Sequence, residues 1–425
     1  MLKIISTGSD FERETLLRPF GFKGGYLTEL WQTVSRLSTE NHEGIGLATQ
    51  SVLYGDADLF SHHSEAAGNA LMYVLTEKAL LLAREIPFAD PVALMDELIS
   101  RLGPIAASLT DKPDLSVNFM LNALVSVDNA AWLLYARENG FTNYSDMIPQ
   151  AYKAALSYRN PKVGVMFQVP YGMPVREILQ AVDKGYFVIK IKTGQPGNQS
   201  EMLEKDKARL AEIHQALKDK ISPETKSGKI LYTLDSNGRY QKRETLERLI
   251  DHANKIGAFS HILFIEEPLP ETSDEPVGGL GLRIAADERA NDEASTRRCM
   301  ELGYGAIILK GVAKTLSLSM KIARIAHEYQ VPCACSDLTV NPALVEWHKN
   351  LAARLAPFPD LGMGLLETNG DMNYKNWDAM RAYLPGSGAG WASAEKGVFR
   401  LNQDFYDRSG GIFDVIPHYQ SLFHK

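Results

Sequence analysis

From about residue 160 onward, eight short apolar runs rich in Val, Ile and Phe alternate with longer segments of helical period. No other feature constrains the fold of this chain as strongly. The runs are KVGVMFQV (162–169), YFVIKIK (186–192), KILYTLD (229–235), HILFIEE (261–267), LRIAADE (282–288), YGAIILK (304–310), VPCACSD (331–337) and GMGLLET (362–368). Short β-branched runs separated by amphipathic segments read as parallel strands joined by helices. One of those segments, EMLEKDKARLAEIHQALKDK, sets Leu203, Leu210, Ile213 and Leu217 at helical spacing. Eight such units predict an α/β fold of the TIM-barrel kind rather than a doubly wound sheet, which would want fewer units and a glycine-rich first turn. The glycine-rich GGLGLR (278–283) precedes a strand and therefore reads as a loop, not a phosphate cradle.

Residues 1–155 have a different texture: the aromatic and glycine-rich LLRPFGFKGGYLTELW, the loop-like LYGDADLFSHHSEAAG, and then long helical stretches. They predict a separate α+β domain, followed by the barrel over 156–384 and a turn-rich segment, 385–425, that returns to the first domain. A formal charge of −7 with no basic run argues against a nucleic-acid partner. The N-terminal stretch lacks an apolar segment long enough for a signal peptide, and nothing later approaches a membrane span by eye, so the expected location is the cytoplasm. Cys299, Cys333 and Cys335 form a sparse, odd set that suits buried thiols in a reducing compartment. The chain is compatible with a homo-oligomer.

The chemistry lies at the ends of the runs. In a barrel of this kind the active site sits at the C-terminal ends of the strands, so ionisable residues there carry the functional reading. The second run ends in Lys190 and Lys192, the third in Asp235 with Asn237 following, the fourth in Glu266 and Glu267, and the fifth in Asp287 and Glu288. Lys310, Asp337 and Glu367 end the sixth, seventh and eighth. Side chains alternate along a strand, so Lys190 and Lys192 share one face and Ile189 and Ile191 the other. Asp235, Glu266 and Asp287, from consecutive strands, would repel one another in a partly dry mouth, and a cation would relieve that. Oxygen-only ligands point to a hard ion, Mg2+ with Mn2+ as the alternative, rather than zinc. No histidine ends a predicted strand, and the histidines read as surface or packing residues. A lysine becomes a base when neighbouring positive charge and partial desolvation lower its pKa, which gives a reason for pairing Lys190 with Lys192.

These motifs together, KIK, DSNG (235–238), IEEP (265–268), ADE (286–288) and Lys310, resemble the enolase superfamily, in particular the muconate lactonizing enzyme branch of the mandelate racemase/muconate lactonizing enzyme family. No subgroup matches. VSVDNAAWLLYARENGF (125–141) is similar to the helix that closes that family's capping domain, and PFGFKGG and LYGDADLF fall where the family has two mobile loops over the site. The resemblance implies a modified (β/α)7β barrel with an α+β capping domain. It also implies Asp235, Glu266 and Asp287 as Mg2+ ligands, Lys192 and Lys310 as opposed acid/base groups, and Lys190 as an electrostatic helper. Asn237, Glu267 and Glu288 would orient these groups, and Lys23, Arg289, Asp337, Glu367 and Asn369 would contact substrate. Blander readings stand beside these: Asn237 as a turn residue, Glu267 and Glu288 as solvated, Asp337 as a helix cap.

The chain also departs from the family pattern. The seventh run continues as CACSDLTVNP, without the histidine base of mandelate racemases, and ETNGDMNY (367–374) lacks a clean spaced aspartate pair like that of dipeptide epimerases. What the resemblance implies is removal of the α-proton of a small carboxylate to give an enolate. A lysine on each face favours racemisation or epimerisation of an N-acyl amino acid or dipeptide. Cycloisomerisation and syn elimination from the same enolate are the alternatives. A Schiff-base aldolase and a non-catalytic ligand-binding barrel stand outside this class.

Overall fold

The computed structural model describes residues 1–23 and 25–424; Gly24 of the PFGFKGG stretch lies outside them. Three antiparallel strands, β1 (Ser6–Phe22), β2 (Gly25–Ser38) and β3 (Glu43–Gln50), form one sheet in the order β1-β2-β3. The β1–β2 register breaks between Thr15 and Phe20, where Pro19 cannot donate to the ladder. The chain bulges there, and Lys375 N–H of the barrel donates to Thr15 O at 3.1 Å. Helices Glu65–Ala83 and Val117–Asn139 cover the sheet, and Pro91–Thr110 packs on those two helices. Val117–Asn139 packs on β3 because Gly44 and Gly46 carry no side chain; a β-carbon at either would overlap the helix backbone at Ala130. By length and mean hydropathy of 1.2 this helix could span a membrane, contrary to the sequence expectation, but 94% of its most apolar window is buried inside the protein.

The barrel strands are β4 (Lys162–Val169), β5 (Val188–Lys192), β6 (Leu231–Asp235), β7 (Ile262–Glu266), β8 (Ile284–Ala286), β9 (Ala306–Leu309), β10 (Cys333–Cys335) and β11 (Gly364–Glu367). All neighbours are parallel, and β11 pairs with β4, Gly364 opposite Val163, to close the ring. Each predicted run contains one strand, the observed ladders being at most two residues shorter at either end. Six of the seven crossovers carry an α-helix, whereas β7 and β8 are joined by the irregular segment 267–283, which includes GGLGLR. Cys299, Cys333 and Cys335 are free and buried, and burial pushes the Cys299 and Cys333 thiols up to about 12.

The C-terminal segment divides its contacts. β12 (Val398–Arg400) runs antiparallel to β4 of the barrel. Beyond it, the helix Pro417–Ser421 meets the first domain: His418 Nε2 lies 2.8 Å from Glu12 Oε1, and the Arg36 guanidinium sits over the Phe423 ring.

Candidate active site

Strand register assembles the centre of the barrel mouth. Lys192 lies opposite Asp235 across β5–β6, and Asp235 opposite Glu266 across β6–β7. Lys190 and Lys192 do enter the mouth together, and both are buried. Lys190 Nζ donates to Glu266 Oε1 at 2.9 Å and to Glu367 Oε2 at 2.8 Å, and stands 3.1 Å from Asp235 Oδ2. Lys192 Nζ donates to Asp235 Oδ2 at 2.5 Å and to Asn237 Oδ1 at 2.9 Å. From β9's end, Lys310 Nζ reaches Asp287 Oδ2 at 2.5 Å and lies 4.7 Å from the centre of the Tyr54 ring. The two outer lysine strands, β5 and β9, therefore bracket the three strands that end in carboxylates, β6, β7 and β8.

Contact with carboxylates sets the charge states. Burial opposes ionisation of Lys190, but Asp235, Glu266 and Glu367 outweigh it and hold the ammonium well above its ordinary range. Lys310 is likewise raised, against burial, by Asp287, Glu288 and Glu266. With carboxylates in direct contact, neither lysine is tuned toward neutrality as the pairing of positive charges alone would predict. Burial pushes Asp235 up, yet Lys190 and Lys192 bring it down to about 2. Glu266, deeper still, is raised by burial and by Asp235 beside it.

Among the described residues, no group of three or more His, Cys, Asp and Glu side chains stands gathered around one point as a metal centre. The donor set nevertheless fits a hard cation. Glu266 Oε2 and both oxygens of Asp287 are buried and accept no hydrogen bond, although ammonium groups stand within ion-pair distance. Carboxylate oxygens in that condition are acceptors for a small divalent ion.

The supporting residues are placed as follows. Asn237 takes φ 45°, so it is a turn residue, and it also donates from Nδ2 to Glu288 Oε1 at 3.0 Å. Glu267 and Glu288 are buried rather than solvated. Glu267 Oε2 accepts the Asp287 backbone N–H at 2.7 Å, which fixes that carboxylate's backbone. Glu288 also faces Lys23 of the β1–β2 hairpin, 3.2 Å away. Asp337 accepts from Thr339 N–H at 2.9 Å and does not cap the next helix, whose cap is Asn341. Its Oδ2 is buried without a partner, and burial together with Glu367 pushes Asp337 up to about 8.

Arg289 corrects the sequence reading. Its Nε donates to Glu267 Oε1 at 2.7 Å and its Nη2 to Pro270 O at 2.6 Å and Leu269 O at 3.2 Å. The guanidinium is spent on pinning the helix-free β7–β8 connection and does not line the mouth. Sequence reasoning missed three contributors. Lys314, four residues after Lys310, donates to the main-chain oxygens of Asp287 and Ala290. Ser336, next to Asp337, donates to Glu367. Tyr54, inside LYGDADLF, lies between Lys23 and Lys310.

A small cavity of about 30 Å³ opens over these groups, roofed by Phe20, Phe22, Leu27 and Tyr54 of the first domain. The two segments expected to be loops are the β1–β2 hairpin end and two short helices, Val52–Gly55 and Ala57–His62.

A closed eight-stranded parallel barrel, with carboxylates and lysines at its C-terminal mouth and an α+β domain over it, defines the class of α/β barrels with an N-terminal capping domain. Residues 174–364 match the family described as Enolase C-terminal domain-like. The L-Ala-D/L-Glu epimerase of Bacillus subtilis shares the fold at a TM-score of 0.64 and 16% identity, over 88% of this chain and 92% of that one. N-succinyl Arg/Lys racemase of Bacillus cereus ATCC 14579 matches at 0.63 and 14%, over 94% and 93%. A dipeptide epimerase of Enterococcus faecalis V583, solved with Mg and the dipeptide L-Leu-L-Tyr, matches at 0.62 and 15%, over 88% and 92%. No curated protein matches by sequence. The chain has the enolase-superfamily fold with its capping domain, and residues 174–364 of its barrel match that superfamily's C-terminal domain.

Proposed function

We propose that this protein is a divalent-cation-dependent enzyme that moves the α-proton of a small carboxylate, most simply as a racemase or epimerase of an N-acyl amino acid or dipeptide. The observation that carries this reading is the bracketing of Asp235, Glu266 and Asp287 by Lys192 at the end of β5 and Lys310 just past β9. Asp235, Glu266 and Asp287 would hold Mg2+, which when bound supplies the charge that stabilises a carboxylate gaining electron density. The Mg in solved dipeptide epimerases supports that choice of ion.

The chain's own residues do the rest. As Asp235 turns to the cation it would surrender its ion pair with Lys192 and free that amine to act as the base, while Lys310 enters the same direction as the ammonium that supplies the returned proton. Lys192 takes the proton from one face of the α-carbon and Lys310 returns one to the other. Lys190 keeps its charge through Glu367 and stabilises the developing anion. Asp337 and Asn369 present polar atoms to the far end of the substrate, and Phe20, Phe22 and Tyr54 keep water from the reacting carbon.

The test is exchange in D2O with Mg2+ across a panel of N-acyl amino acids and dipeptides, read by mass and by optical rotation. A turned-over substrate gains one α-deuterium. Lys192→Ala and Lys310→Ala each abolish exchange from one stereoisomer; normal exchange of both isomers in both variants would sink the two-base assignment.

A further inference from the structure

A cavity larger than that of the barrel mouth lies elsewhere in the protein. A space of about 280 Å³ lies where β3, the helix Pro342–Arg354 and the C-terminal segment meet, and it shares no lining residue with the mouth cavity. Its walls carry Trp347, Trp377 and Trp391, three of the five tryptophans of the chain. One wall residue is Glu346, 6% exposed. Its Oε1 accepts from Lys349 Nζ at 2.7 Å, while its Oε2 is buried and has no hydrogen-bond partner. Room beside Oε2 is kept by Gly410, also in the wall at φ 65°, where a β-carbon would overlap that oxygen. Lys349 reaches only Oε1 and spends its other contacts elsewhere, donating to Trp391 O at 2.9 Å with its ammonium 4.2 Å from the centre of the Phe399 ring.

An unsatisfied carboxylate oxygen inside an aromatic cavity is costly unless something donates to it. The four acidic side chains of the lining (Glu43, Glu346, Asp371 and Asp414) outnumber its two arginines, Arg137 and Arg381, so a cationic donor suits the walls better than an anion. Aromatic faces add attraction for such a cation. The cavity is near the lower end of small-ligand sites, roughly 300–1,000 Å³.

We infer that this junction is a second ligand site, for a small organic amine with an apolar body, its ammonium anchored by Glu346 Oε2 and its body packed among the tryptophans. The site is separate from the proposed chemistry. The chain at the end of β11 borders both cavities: Glu367 and Asn369 line the mouth, and Thr368 lines the junction.

The probe is 2-phenylethylamine, titrated into the full chain and followed by tryptophan fluorescence and by ligand-observed NMR, with 2-phenylethanol and 3-phenylpropionate as matched controls. Saturable binding of the amine, at least tenfold tighter than either control, is expected. Glu346→Gln should weaken the amine at least tenfold and leave the alcohol unchanged. Ala392→Phe, which places a ring in the cavity wall, should abolish binding with circular dichroism unaltered. Lys192→Met, in the mouth, should leave amine binding intact. No saturation, equal binding of amine and carboxylate, or loss of binding only in Lys192→Met would each overturn the inference.

Discussion

At the scale of single residues, the pair Glu267–Arg289 shows how a side chain that never touches the mouth can govern it. Glu267 holds φ 37°, accepts the Asp287 backbone N–H, and is itself neutralised by a guanidinium whose remaining donors go to main-chain oxygens of the β7–β8 connection. Breaking one partner of a buried pair strands the other, a loss of about 3–5 kcal/mol. Glu267→Gln is therefore expected to lower the urea midpoint steeply. The double change Glu267→Gln with Arg289→Met should recover much of it, as equilibrium denaturation of the two variants will show. Arg289 also marks where reading by position failed. Its place after ADE suggested substrate, but a residue's partners depend on how the following connection folds back, which no local spacing encodes. Lys190, Lys192 and Lys310 were legible because strand alternation, a local property, decides where they point.

Among the elements, the helix Val117–Asn139 ties the first domain to the barrel through one carboxylate. Asp128 accepts the Ser317 N–H at 3.0 Å and the Ser317 hydroxyl, at the start of the helix Leu316–Glu328. Burial pushes Asp128 up to about 7 despite these donors. A carboxyl raised on folding binds its proton more tightly in the native state, so its contribution is greatest at acid pH and is lost as pH rises toward 7. Thermal melts between pH 5 and pH 8 should therefore fall with pH, and Asp128→Asn should flatten that slope. An unchanged slope in the variant would mean that Asp128 does not titrate in this window. The eight strands were readable because each is a compact apolar run, but the helix-free β7–β8 connection was not, since GGLGLR announces a loop without saying what replaces the missing helix.

For the molecule as a whole, the cover and the barrel are joined at the mouth by Lys23, at a left-handed turn with φ 47°, and Glu288, 3.2 Å apart. Lys23 is partly exposed, so the pair contributes modestly: Lys23→Met should reduce kcat/KM in the deuterium assay by about fivefold, corresponding to about 1 kcal/mol, with an unchanged melting curve. A larger loss would place Lys23 on the substrate itself. The amine-sized junction was invisible in sequence because its walls come from residues 43 to 420, brought together only by the return of the C-terminal segment. That assembly sets the chain just past β11 against both cavities. Thr368, which lines the junction, is joined by single peptide bonds to Glu367 and Asn369, which line the mouth. The two compartments therefore share one stretch of backbone, and Thr368 sits beside Glu367, the carboxylate that Lys190 grips.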